Sequence, residues 1–294
     1  MKKILALLMA LTLVLSFAAC GKKDVVEVTT TPITMGADAA VNADDFKTTA
    51  APETTTALVE VTDESGEVVT DASGEAVTEV ITEKTTTLAE KPIKDWTKAE
   101  MLYAYNQAVI KTEKGQIPTG QSTMKLAGGI TGDGAIGSIL EVLSPAAEKA
   151  LAKNSTPTDF IPGYGELRGE DLKAIQIIDN GKTYTIEMTV KSQTDGPDED
   201  DKAGPVGRAI GTLGSIEGAL KELGASFKSG RETVSLTYDD VSIRAEIDKT
   251  TGTIVHGQWH YVVKVLVGDA KASISVLTAN LKNLRANIDY TVVI

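Results

Sequence analysis

The last sixty residues alternate apolar and polar side chains almost without a break. Val234, Leu236 and Tyr238 share one parity; Val241, Ile243, Ala245 and Ile247 take the next. Tyr261, Val263, Val265 and Val267 follow, then Ala272, Ile274 and Val276, then Leu284, Ala286, Ile288, Tyr290, Val292 and Ile294. A period of two sends successive side chains to opposite faces of a strand, so each run reads as a strand with one buried face. Turn signals separate them: Asp248-Lys249-Thr250-Thr251-Gly252, and Gly268-Asp269. Strands joined by short turns pair antiparallel, as a meander. A sheet apolar on one face needs a cover, and the upstream chain supplies helical patterns for it.

The clearest of these opens at Thr97-Lys98-Ala99-Glu100, a capping box with Thr97 as N-cap and Glu100 at N3. Trp96 and Met101 are placed for a hydrophobic staple. Leu102, Tyr105 and Val109 then recur at helical spacing, and Gly115 is a stop. Trp96, Tyr103 and Tyr105 are read as core side chains. Further helices are expected over Ala135–Leu143, restarting at Ser144-Pro145 and running to about Lys153, and over Ser215–Leu223. Thr123–Ile130 is expected as a strand. Ala174–Ile178 and Tyr184–Val190 are expected as a hairpin about Asn180-Gly181. The expected fold is therefore α+β: helices packed on one face of a curved, mostly antiparallel sheet that ends in a C-terminal β-meander. That layout is similar to cystatin-like domains and to half-barrel lipid-carrier lipoproteins, a likeness of architecture that carries little functional weight.

Residues 24–92 are different material. They hold sixteen Thr, fifteen acidic residues and only three Lys, a charge of −12 that equals the total for the chain. Lys2, Lys3, Lys22 and Lys23 offset about −4 left for residues 93–294. Low aromatic content, Thr clusters and like charge describe a segment that cannot bury a core. Val61–Val68 and Val69–Ala76 form a short eight-residue repeat, read as a slipped repeat in a linker rather than a hairpin array. As a coil the segment would reach about 45 Å, and stretched about 210 Å.

At the N-terminus, Met1-Lys2-Lys3 precedes fourteen mostly apolar residues, Ile4–Phe17. That is shorter than the roughly 20 residues a bilayer span needs, and it fits a secretory signal. Leu15-Ser16-Phe17-Ala18-Ala19-Cys20 resembles the lipobox of bacterial lipoproteins, with Phe17 where Leu is usual. The resemblance implies that the Cys20 thiol receives a diacylglycerol and that cleavage leaves it as the lipidated N-terminus. Cys20 is the one cysteine in the chain. Domains are thus expected at 1–19 (signal peptide), 20–92 (lipidated Cys and disordered Thr/acid-rich stalk) and 93–294 (one α+β domain). Localisation would be the outer face of the cell membrane, and a long spacer suits a thick, Gram-positive wall.

Chemistry-bearing patterns are sparse. A formal charge of −12 argues against nucleic acid as a partner. One Cys excludes an internal disulfide framework. Gly132-Asp133-Gly134-Ala135-Ile136-Gly137 matches G-x-G-x-x-G, with Asp159 downstream. No β-rich run leads into Asp159, whose approach is Asn154-Ser155-Thr156-Pro157, and the surrounding pattern is antiparallel, so a glycine-rich loop entering a helix is preferred to a dinucleotide site and no cofactor is expected. His256 and His260 are four apart on a strand, about 13 Å, too far for one ion. Asp198, Asp200 and Asp201, with Asp195 and Glu199, crowd one loop and are weak metal candidates whose order does not fit an EF-hand. No G-x-S-x-G elbow occurs, and no catalytic residue is assigned. The sequence thus points to a lipid-anchored surface protein presenting a binding domain on a stalk. Its expected partners are the membrane, through Cys20, and a small apolar ligand or a cell-wall or host polymer. The alternative is an extracellular hydrolase whose carboxylates assemble only in the fold.

Overall fold

The computed structural model describes residues 31–46, 56–60, 78–82, 91–133, 156–197, 201–214, 225–274 and 277–294. The expected lipidation site Cys20, the helices over 135–153 and 215–223, residues 134–137 of the glycine motif, and Asp198 and Asp200 lie outside these ranges.

Eleven strands are described. β1 (Thr56–Glu60) and β2 (Thr78–Thr82) pair antiparallel by themselves, from Thr56 with Thr82 to Glu60 with Thr78. The repeat between them is not among the described residues. The remaining strands are β3 (Gly120–Thr131), β4 (Thr156–Thr158), β5 (Leu172–Asp179), β6 (Thr183–Val190), β7 (Gln193–Asp195), β8 (Ala225–Ser229), β9 (Val234–Asp248), β10 (Ile254–Ile274) and β11 (Leu277–Val293). They make one sheet in the order β4-β3-β11-β10-β9-β6-β5, with β7 beside β9 and β8 beside β10. Every pairing is antiparallel. β9, β10 and β11 are the expected C-terminal meander.

Two helices of α type occur among the described residues: α1 (Lys98–Glu113) and a single turn, α2 (Pro205–Ala209). The described structure is therefore mainly β with one long helix, less helical than the α+β expectation. α1 starts as its sequence dictates. The Thr97 side chain accepts from the Glu100 amide at 3.2 Å, and Glu100 accepts from the Thr97 amide at 2.7 Å. Its Ala99, Leu102, Tyr105, Ala108, Val109 and Thr112 face is buried against the sheet.

Alternation decides the core. A row of paired residues crosses five strands at Ile175, Met188, Ile243, Trp259 and Val292, all buried. The Trp259 indole donates to the Tyr105 hydroxyl of α1 at 3.0 Å, which satisfies the polar tips of two large buried rings. Tyr238, Tyr261 and Tyr290 extend the core as an aromatic run, with ring centroids 5.3 and 5.0 Å apart.

One expected turn is not a turn. β10 runs straight through Gly268-Asp269, pairs Asp269 with Lys282, and closes on β11 only at Ile274 and Leu277. The glycine serves close approach instead: a Cβ at Gly268 would stand 3.0 Å from Thr233, where the chain passes from β8 to β9. Gly230, in the same crossing, has φ +74°, and a side chain there would overlap the Asp269 carbonyl.

The neighbouring row shows the sheet's other face. Gln176, Glu187, Arg244 and Gln258 are directly paired across β5, β6, β9 and β10. Residues 31–36, from the segment expected to be stalk, lie along this row. The Gln258 amide accepts from Thr31 N–H at 3.0 Å, and the Gln176 amide accepts from Gly36 N–H at 2.7 Å while donating to the Thr34 carbonyl at 2.9 Å. Three inter-strand steps are about 14 Å, the reach of four or five extended residues, so the segment crosses the strands nearly at right angles. It then rounds the edge of the sheet. Ala40 bridges Ala174 of β5, Val41 N–H donates to the Lys173 carbonyl at 3.0 Å, and Lys98 of α1 takes Asp45 at 3.1 Å. Contact with the folded body therefore begins well before residue 93.

Candidate functional site

A cleft of about 670 Å³ opens where the C-terminal half of α1 overhangs the ends of the β5–β6 and β9–β10 hairpins. Helical geometry builds one wall. Tyr103, Gln107, Ile110, Lys111 and Lys114 recur at three- and four-residue steps, a stripe beside the face that α1 buries. The segment entering the helix supplies Lys91, Pro92, Ile93 and Trp96. The two hairpins supply Asp179, Tyr184, Lys249 and Gly252.

The floor is aromatic. Trp96 and Tyr184 meet edge to face with centroids 5.3 Å apart at 72°. The Trp96 indole donates to the Lys91 carbonyl at 3.1 Å, which holds the ring down. Burial pushes the Tyr184 phenol up to about 12, so it is neutral at physiological pH.

The rim is cationic, in a chain whose net charge is −12. Lys91, Lys111, Lys114 and Lys249 line it, against one carboxylate, Asp179. Lys91 is held by Glu100 at 2.6 Å, and Lys249 by Asp179 at 2.6 Å. Asp179 is kept below the usual carboxylate range, first by the Lys249 hydrogen bond and then by the Gly181 amide. Lys111 and Lys114 pair with no carboxylate among the described residues. Lys111 sits in the last turn of α1 and Lys114 is its C-cap, where the helix dipole favours positive charge. Gly252, at φ +66°, forms the far rim opposite the Lys111 ammonium.

Such a cleft can hold an anionic group between ammonium ions while a flat or apolar part rests on Trp96 and Tyr184. The space directly between α1 and the sheet is filled by Tyr105, Val109 and Trp259, each at most 1% exposed, so the site lies beside the helix and not beneath it. The described lining contains no second carboxylate that could work with Asp179 in hydrolysis.

The residues singled out from sequence fall elsewhere. Trp96 and Tyr105 are buried as expected, and Tyr103, expected in the core, is half-exposed on the cleft wall. His256 and His260 both lie on β10; His260 faces Asp289 at 3.5 Å and the Asp240 carbonyl at 3.2 Å. Asp201 is a turn residue whose carboxylate accepts from Ala203 N–H at 3.0 Å, and the buried Asp195 accepts from Gln193 at 2.9 Å. No group of three or more potential metal ligands occurs among the described residues. Gly132 and Asp133 follow β3, with Asp133 N–H donating to the Lys282 carbonyl at 3.0 Å and its carboxylate accepting from Asn283 at 2.5 Å. Phe160 and Tyr164 are exposed on the loop after β4. The Lys111–Lys114 spacing was visible in the sequence, but nothing there joined it to Lys91 and Lys249. No described helix is long and apolar enough to cross a membrane. The chain matches no family model, no curated protein and no solved structure.

Proposed function

We propose that the chain is a bacterial lipoprotein, lipidated on Cys20 and held on the outer face of the cell membrane, whose domain binds an anionic polymer of the cell wall or of a host surface. The anchor is supported by the Leu15–Cys20 pattern and the short apolar run that leads into it. One observation carries the binding: four lysines converge over an aromatic floor in an acidic chain, two of them without an acidic partner among the described residues. An apolar ligand carried under the helix is less well supported, because aromatic side chains fill that space. Helices over 135–153 and 215–223 would add to the cover that α1 gives the sheet.

The test is calorimetric titration of the mature protein with a synthetic poly(glycerol phosphate), at low and at moderate salt. Binding that weakens with salt and is lost in Lys111→Glu/Lys114→Glu supports the reading. Equal binding by that variant refutes the site. Anchoring is read separately: Cys20→Ser must release the protein from membranes, and retention would refute lipidation.

A further inference from the structure

The segment over 31–46 closes the chain into a loop far upstream of the folded body. We infer that this segment, rather than the whole Thr/acid-rich stretch, sets the distance between membrane and domain. This rests on lipidation of Cys20, proposed above. Residues 47–90 then join two points that are both fixed on the domain and do not act as a tether.

Two glutamine amides read the backbone of the segment on the outer face. Gln258 accepts from Thr31 N–H at 3.0 Å, and Gln176 both accepts from Gly36 and donates to Thr34. Gln176 is itself oriented by Glu187, a carboxylate with 4% of its side chain exposed, to which it donates at 2.6 Å. Arg244 balances that carboxylate at 3.3 Å. The polar row is thus matched to an extended backbone lying across it. At the sheet edge the segment continues as a partner to β5, with Ala39 buried and Val41 N–H on Lys173 O. Covering an edge strand also blocks its pairing with other chains. On the far side, Phe46 packs over Gly169, where any side chain would overlap its ring, and Asp45 is tied to Lys98 at the start of α1. Lys91 returns to the same helix end through Glu100. Both ends of 47–90 are therefore fixed at the N-terminus of α1.

The consequence is arithmetic. From Cys20 to Thr31 is eleven residues, at most about 39 Å when fully extended and about 18 Å as a coil. A tether running from Cys20 to Lys91 would reach about 46 Å as a coil and roughly 220 Å when stretched. The docked segment holds the domain close to the bilayer.

Two measurements on the mature lipidated protein decide this. In the first, the protein is placed in phosphatidylglycerol vesicles carrying a dansyl-headgroup lipid, and energy transfer from Trp96 and Trp259 is recorded before and after deletion of residues 61–76. A closed loop predicts unchanged transfer; increased transfer on shortening means that the stretch is the tether, and overturns the inference. In the second, Ala40→Cys is combined with Ala174→Cys. The Val41–Lys173 hydrogen bond makes this a non-hydrogen-bonded antiparallel pair, about 4.5 Å between Cα atoms, which a disulfide accepts. The pair must oxidise roughly tenfold faster than Thr62→Cys with Ala174→Cys; equal rates overturn the docking. Protein that fails to float with vesicles counts against lipidation alone, and the disulfide measurement still reads the docking.

Discussion

Thr112 tests how the helix is locked to the sheet beside the cleft. It is fully buried near the end of α1. Its hydroxyl donates to the Ala108 carbonyl at 2.7 Å and accepts from the Ile254 amide at 2.8 Å. The Ile247–Ile254 pair closes through Asp248 N–H on the Thr253 carbonyl at 3.0 Å, so Ile254 N–H points away from β9 and meets Thr112 as its acceptor. Thr112→Val keeps the shape and removes the oxygen, leaving a buried amide without a partner. The expected loss is about 2 kcal/mol, within the 1–3 kcal/mol that an unsatisfied buried group costs. In a folded body of about 200 residues that is roughly 4–8 °C in Tm. Thr112→Ser keeps the hydrogen bond and deletes one methyl, at about 1 kcal/mol. Urea unfolding of the mature protein, followed by Trp fluorescence, reads both. The order wild type, Ser, Val with an unchanged m-value is expected. A Val variant as stable as the parent, or more stable than the Ser variant, would falsify this account of the helix–sheet lock. Because Lys111 and Lys114 flank Thr112, the Val variant should also bind poly(glycerol phosphate) more weakly.

Three other outcomes follow from buried groups elsewhere in the fold. Asp171 is 1% exposed and accepts from Arg168 N–H at 2.9 Å and from Arg208 Nε at 2.8 Å; Asp171→Ala strands the Arg208 guanidinium and should cost about 3–5 kcal/mol, with part recovered in Asp171→Ala/Arg208→Ala, as thermal unfolding will show. Burial raises Tyr184 and Tyr290 to about 12, above the value near 10 in an unfolded chain, so their contribution is complete below pH ~10 and is lost as pH rises towards 12; absorbance at 295 nm should rise together with unfolding, and free titration near 10 in the folded state would contradict this. Gly257→Ala would place a methyl inside the Trp259 ring, which cannot move because it is fully buried; a loss of about 1–3 kcal/mol and an altered near-ultraviolet circular dichroism band are expected, and a silent substitution would contradict the packing.

Local rules carried much of the sheet. Alternation in Val234–Tyr238, Val241–Ile247 and Tyr261–Val267 placed β9 and β10 with the correct faces inward, the change of parity falling at Asp239-Asp240, and Asn180-Gly181 placed the β5–β6 turn. The Thr97–Glu100 capping box placed the start of α1 to the residue. These signals act over two to four residues, within which side-chain direction and backbone donors are already determined. Gly268-Asp269 misled because a glycine can serve either a turn or a close approach. Only the passage of Thr233 beside it distinguishes the two.

What the sequence by itself determined is the antiparallel C-terminal sheet, the helix at Thr97 and the contrast between a core-forming region and a Thr/acid-rich one. Each depends on periodicity or composition, which are properties of neighbours along the chain. What only the tertiary structure decided is which distant residues meet. Lys91, Lys111 and Lys249 form one rim because α1 crosses the ends of two hairpins. Gln176 and Gln258, eighty-two positions apart, fall in one row because four strands align in register. The backbone of 31–36 lies on that row because its amides and carbonyls find partners there, a complementarity that depends on hydrogen-bond geometry and leaves no mark in side-chain hydrophobicity.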